Sequence, residues 1–160
     1  MIIFLNGSIN AGKSTVAKLL VKELPNTALV EIDALREMIA WMPIDQAVPT
    51  NLENAVSVIK NFANRGLNVI IPYPLSQKNH DYILEQLAGV KTKIFVFTLA
   101  PKLEKALTNR GSRELDDWER SRIQHHYDIG MHAPAFGEVI DNSDQTPKET
   151  RDYILSKISS

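Results

Sequence analysis

Apolar positions along the chain follow two alternating periods. Short apolar runs at 2–6, 28–32, 67–71 and 94–99, with a briefer one at 138–141, read as strands. Between them, apolar residues recur at helical spacing. Ala17, Leu20, Val21 and Leu24 share one face of a helix that starts near Ser14 and stops at Pro25. A second helix is predicted from about Ala34 to Trp41, followed by a loop through Pro43 and Pro49. Thr50 and Glu53 then read as a capping box opening a helix marked by Leu52, Ala55, Val56, Ile59, Phe62 and Ala63, which ends before Gly66. Further helices are predicted at 76–88, from Pro101 as a first helical residue to about Asn109, and from Thr146-Pro147, where Glu149 completes a second capping box. The polar, arginine-rich stretch 110–127 reads as a loop plus helix. Strands and helices in alternation predict an α/β fold, a parallel sheet covered by helices on both faces. Ligands of such sheets bind at the carboxyl ends of the strands.

Composition narrows the chemistry. The 160 residues fit one domain spanning 1–160, and no linker, repeat or low-complexity tract divides them. Charged residues balance to a formal net charge of -1, which disfavours long nucleic acids and anionic membranes as partners. There is no cysteine, which excludes disulfides, thiolate catalysis and cysteine-ligated zinc. The run Ile2-Ile3-Phe4-Leu5 is too short to cross a membrane and lacks a basic leader, so the expected location is cytoplasmic. His80, His125, His126 and His132 show no metal-ligand spacing and read as surface or lid residues.

Between the first strand and its helix, Gly7-Ser8-Ile9-Asn10-Ala11-Gly12-Lys13-Ser14 matches G-x-x-x-x-G-K-[ST] at every fixed position. The glycines let the backbone close around phosphate oxygens, and the N-terminus of the helix adds positive potential. Lys13 can neutralise the β- and γ-phosphates, the Ser14 hydroxyl is a ligand for Mg²⁺, and Thr15 is placed for the α-phosphate. The loop therefore predicts ATP and Mg²⁺ as cofactors. No Asn-Lys-x-Asp segment for reading guanine is present. The third strand runs into Pro72-Tyr73-Pro74 without the acid of a Walker B strand.

This layout resembles the small kinases of the nucleoside-monophosphate-kinase-like group, among them shikimate, gluconate and adenylylsulfate kinases and chloramphenicol phosphotransferase. The resemblance rests on the phosphate loop and on Glu31-Ile32-Asp33-Ala34-Leu35-Arg36 after the second strand. It rests also on the arginine-rich segment and on Val139-Ile140-Asp141-Asn142-Ser143 before Thr146-Pro147. It implies a three-layer P-loop fold with a five-stranded parallel sheet in the order 2-3-1-4-5 and a small lid at about 110–130. It also implies that Asp33 faces an acceptor hydroxyl, that Arg110 stacks on adenine, that Arg113 contacts phosphate and that the Asn142 loop packs against adenine. Read from the residues alone, Asp33 can take the hydroxyl proton or orient a water on Mg²⁺, and it can also cap the helix that starts at Ala34. Arg36 can bind an anionic acceptor or pair with Glu31 or Glu37. The segment with Arg110, Arg113, Arg120 and Arg122 can be a solvated helix paired with its own acids. Tyr73, with Met38, Trp41 and Met42, can line an acceptor pocket or simply pack. The shikimate-type glycine turn is replaced by Pro72-Tyr73-Pro74, which argues against shikimate.

The leading expectation is a phosphotransferase moving the ATP γ-phosphoryl group to a hydroxyl of a small molecule. The alternatives are a kinase of nucleotides or polynucleotide ends, and a non-catalytic ATP-binding regulator.

Overall fold

The computed structural model describes residues 1–110 and 113–159, and of Ile44 the backbone alone. Five strands form one parallel sheet: β1 Ile2–Asn6, β2 Thr27–Leu29, β3 Asn68–Pro72, β4 Ile94–Leu99 and β5 Glu138–Ile140, in the order β2-β3-β1-β4-β5. This is the expected topology. β1 lies at the centre, with Phe4 opposite Ile71 on one side and Val96 on the other. All five of its residues are buried, as the unbroken apolar run of a doubly covered strand requires.

The pleat sends alternate side chains to opposite faces and so builds two cores. Ile2 and Phe4 join Val69 and Ile71 on one face, under helices α3 (Ile44–Asn64) and α4 (Gln77–Leu87), which contribute Ala55, Ile59, Ile83 and Leu87. Ile3 and Leu5 join Ile70, Phe97 and Leu99 on the other, under α1 (Lys13–Glu23) and α7 (Pro147–Ile158), which contribute Val16, Leu20, Ile154 and Ile158. A third, smaller cluster of Ala106, Leu115 and Ile123 lies beneath α5 (Leu103–Ala106) and α6 (Asp117–Asp128), and Ile9 of the phosphate loop packs against it. The arginine-rich segment is thus anchored on that loop.

Four boundaries differ from the sequence expectation. β2 ends at Leu29, because it is an edge strand paired only with β3, and Ile32 buries itself in the first turn of α2 (Ile32–Glu37). That helix is also shorter than predicted. The helix expected to open at the Thr50–Glu53 capping box begins instead at Ile44 and runs through Pro49. Proline there forfeits one intrahelical bond, but Ala47, Asn51 and Leu52 around it are all buried, and packing outweighs the lost bond. Finally, Pro101 precedes the short α5, whose N-cap is Lys102, so no helix reaches Asn109. The Thr146–Glu149 capping box forms as read, with both reciprocal hydrogen bonds. No helix among the described residues is long and apolar enough to cross a membrane.

Candidate functional site

The loop between β1 and α1 needs positive φ at three residues, Gly7 (137°), Asn10 (63°) and Gly12 (98°). At Gly7 glycine is required twice over, since a Cβ would stand 2.4 Å from the Leu99 carbonyl oxygen. Gly12 is the N-cap of α1, so no side chain caps the helix, and its first turn carries no acid. The open N–H groups of that turn, with the helix dipole behind them, form an anion site. Lys13, Ser14 and Thr15 of this turn line a cavity of about 540 Å³, together with Ile9, Asn10 and Gly12.

The loop is held from several sides. Asn10 donates through Nδ2 to the carbonyls of Ala106 and Thr108, each at 2.8 Å, and its own carbonyl accepts from Arg110 at 3.2 Å. Asn142 donates to the Ala11 carbonyl at 3.0 Å. The Ser8 hydroxyl meets His126 Nδ1 at 2.9 Å. Beneath the loop, buried Asn6 at the end of β1 donates to Thr98 Oγ1 at 3.0 Å and accepts from the Leu75 amide at 2.7 Å. That bond pins the Pro72-Tyr73-Pro74 turn to the neighbouring strand ends.

Lys13 Nζ donates to the carbonyls of Gly7 (2.9 Å) and Ser8 (2.7 Å). Burial pushes its pKa down to about 8; Asp33 pulls it upward, and Arg113 adds to the lowering. These three charges therefore share one field. Asp33 enters the cavity from α2, Pro72 and Pro74 from the turn after β3, Arg110 and Arg113 from the segment between α5 and α6, and Pro147 from the start of α7.

Asp33 is not a helix cap: the N-cap of α2 is Glu31. The Asp33 carboxylate is exposed, and no hydrogen bond or ion pair engages it among the described residues. Arg110 and Arg113 face each other in an isolated antiparallel bridge, so Arg110 does not end a helix as predicted. Gly111 and Ser112 of the predicted lid lie outside the described residues. The Arg113 guanidinium is ion-paired with Glu119.

Other predicted site residues stand back from the cavity. Gly7, Ser8 and Ala11 support the loop from beneath. Asn142 is buried, and its Oδ1 has no partner among the described residues. Tyr73, for which the sequence leaves both an acceptor pocket and simple packing open, packs into the core, while its neighbours Pro72 and Pro74 line the cavity. Burial raises the Tyr73 pKa, an effect Asp33 reinforces and Arg36 opposes. Arg36 makes no ion pair with Glu31 or Glu37 and lines a separate groove of about 360 Å³ with Ile39 and Met42. Met38 and Trp41 project into solvent beside it. Arg120 holds the carbonyls of Leu107 and Leu115, and Arg122 contacts His126.

Two of the histidines, which in sequence read as surface or lid residues, are buried. His80 stacks on Phe136, with ring centroids 3.8 Å apart, and His126 lies within the segment read as the lid but is buried behind the phosphate loop. Neither was legible as a buried group. The spacing of Ile123 and His126, both buried on α6, is the one signal that could have placed the second.

A parallel sheet in this order, with such a loop after its central strand, is the P-loop fold in the form shared by small-molecule kinases. Solved structures agree across nearly the whole chain. A sugar kinase from Janibacter matches with a TM-score of 0.74 at 19% identity, over 99% of this chain and 94% of that one. The Deinococcus radiodurans tunicamycin resistance protein matches at 0.67 and 19%, over 98% and 94%. The Mycobacterium tuberculosis APS kinase, solved with AMPPNP and APS, matches at 0.70 and 18%, over 99% and 97%. No protein-family model and no curated protein matches the chain.

Proposed function

We propose that this chain is an ATP-dependent phosphotransferase that moves the γ-phosphoryl group to a hydroxyl of a small molecule. The observation that carries the reading is the company kept by Lys13. One cavity joins it and an uncapped helix N-terminus to an unpaired carboxylate, Asp33, and to two arginines, Arg110 and Arg113.

Each group suits one task in phosphoryl transfer. The loop amides and Lys13 hold the β- and γ-phosphates. Arg113 stabilises charge on the transferred group, and Arg110 lies against the nucleotide. Asp33 accepts the proton of the acceptor hydroxyl while its oxygen bonds to the γ-phosphorus and the bond to the bridging oxygen breaks, releasing ADP. The Ser14 hydroxyl and the Asp33 carboxylate are hard oxygen donors among the residues lining the cavity, and they fit Mg²⁺ bound mainly by phosphates and water. Bound there, the ion would neutralise phosphate charge. The segment at about 110–130 acts as the lid, and the α2–α3 side, with Arg36 and the turn at Tyr73, receives the acceptor.

The test is ADP release from ATP and Mg²⁺ across a panel of hydroxylated metabolites, antibiotics and nucleotides. Release that depends on one acceptor and is lost in Lys13→Ala supports the reading. Tight ATP binding without turnover on any member of the panel points instead to a regulator.

A further inference from the structure

His126 is the one histidine that touches the phosphate loop, and the reaction outlined above gives it no task. It stands in the last turn of α6, only 5% exposed, and meets the hydroxyl of Ser8, itself 2% exposed. The contact spans 118 residues of sequence and joins the lid helix to the second residue of the loop.

Its chemistry is constrained from the far side. Arg122 Nη2 lies 3.5 Å from Nε2, and a guanidinium can only donate. A lone pair on Nε2 suits that donor, and the proton of the neutral ring then sits on Nδ1, facing the Ser8 oxygen. Burial, then Arg122, Lys13 and His125, push the ring's pKa down to about 4, so it remains neutral at ordinary pH. Ser8 is held at both ends, since its carbonyl is one of the two acceptors of Lys13 Nζ. At its opposite end α6 holds Arg113 through Glu119. One helix thus reaches both the lysine and an arginine of the cavity.

We propose that His126 is a positioning residue: its Nδ1–H holds the Ser8 hydroxyl, fixes the phosphate loop in the shape that seats Lys13, and couples nucleotide occupancy to the lid helix. The inference rests on the nucleotide-binding reading above. Burial explains why the pair persists, because a buried hydroxyl and imidazole that lose each other find no water to replace the bond.

The experiment combines imidazole ¹⁵N spectra with calorimetric binding of Mg·ATP, which needs no acceptor. The wild type should show the Nδ1–H tautomer at His126, unchanged down to about pH 5, with a signal that shifts when Mg·AMPPNP is added. Ser8→Ala and His126→Phe should each weaken Mg·ATP binding about tenfold, and the double variant should lose no more than either single one. His126→Asn, whose amide nitrogen replaces Nδ1, should recover most of the affinity, whereas His126→Gln should not. An Nε2–H tautomer, additive losses, or variants with wild-type affinity would overturn the proposal. If His126→Phe does not fold, the wild-type spectra and Ser8→Ala decide it. A wild type that binds no Mg·ATP overturns the nucleotide reading and the coupling together, whereas normal binding with unaffected variants removes the coupling alone.

Discussion

Glu119 and Arg113 are joined through a carboxylate that serves two masters: Oε1 pairs with the Arg113 guanidinium, and Oε2 accepts the Asp116 amide at 3.2 Å to close the capping box of α6. The arginine that faces the phosphate cavity is therefore tethered to the start of the helix whose far end carries His126. Arg113 is about half exposed, so the pair is weak and a bound γ-phosphate can draw the guanidinium away at small cost.

Glu119→Gln separates the two roles, because glutamine can keep the cap while releasing the arginine. Mg·ATP binding should tighten by up to about threefold, and the gain should shrink in high salt. Calorimetry at two ionic strengths checks this. Arg113→Ala should instead lower turnover roughly 10²-fold with a smaller effect on ATP affinity.

Lys13 gives a prediction in pH. With its pKa lowered to about 8, the folded protein below that pH carries a desolvated ammonium that the unfolded chain would hold in water. Between about pH 8 and 10 the folded protein sheds this proton while the unfolded chain keeps it, so the penalty fades as pH rises. Lys13→Met should therefore be the more thermally stable protein near neutral pH, with an advantage that declines from about pH 8 to 10, yet bind no Mg·ATP. Nucleotide affinity of the wild type should fall at alkaline pH as the ammonium is lost. Melting curves and binding titrations over one pH series report both.

The two loop glycines should respond differently to alanine. At Gly7 a methyl group meets the Leu99 carbonyl at 2.4 Å with φ at 137°, and neither backbone can yield cheaply. Gly7→Ala should cost about 3 kcal/mol in denaturant unfolding. At Gly12 the nearest atom, Asn142 Nδ2, is 3.7 Å away, so Gly12→Ala bears mainly the conformational cost of about 1–2 kcal/mol. Equal losses at the two positions would contradict this geometry.

What the sequence revealed followed from strong local signals. The run Ile2–Asn6 is buried on both sheet faces, and Thr146 and Glu149 close their cap as their spacing demands. Six residues of the phosphate loop and its helix start line one cavity with Asp33, Arg110 and Arg113, and the loop and Asp33 stand there because they follow the ends of β1 and β2. What escaped depended on tertiary packing. Pro49 reads as a break, yet α3 continues because the helix face around it is buried. Ile32 reads as strand because β2 has an edge whose length no local pattern sets. Of the two readings open for Tyr73, packing is the one realised, and His126 reaches the loop from far along the chain. Of the adjacent His125 and His126, only the second shares the helix face of Ile123, and that face is marked as inward only when α6 docks on the small core of Ala106, Leu115 and Ile123.

Asp33 and Lys13 line the same cavity, and the proposed transfer has both act on one phosphoryl group. The most direct measurement is ³¹P NMR of the acceptor product, with Mg·ATP affinity determined alongside, for the wild type and Asp33→Asn. The proposed transfer predicts a phosphorylated acceptor from the wild type, and an Asp33→Asn protein that binds Mg·ATP within a few-fold of wild type but transfers at least about 10²-fold more slowly. Transfer by Asp33→Asn at the wild-type rate, or ATP consumption that ignores the acceptor, would contradict it.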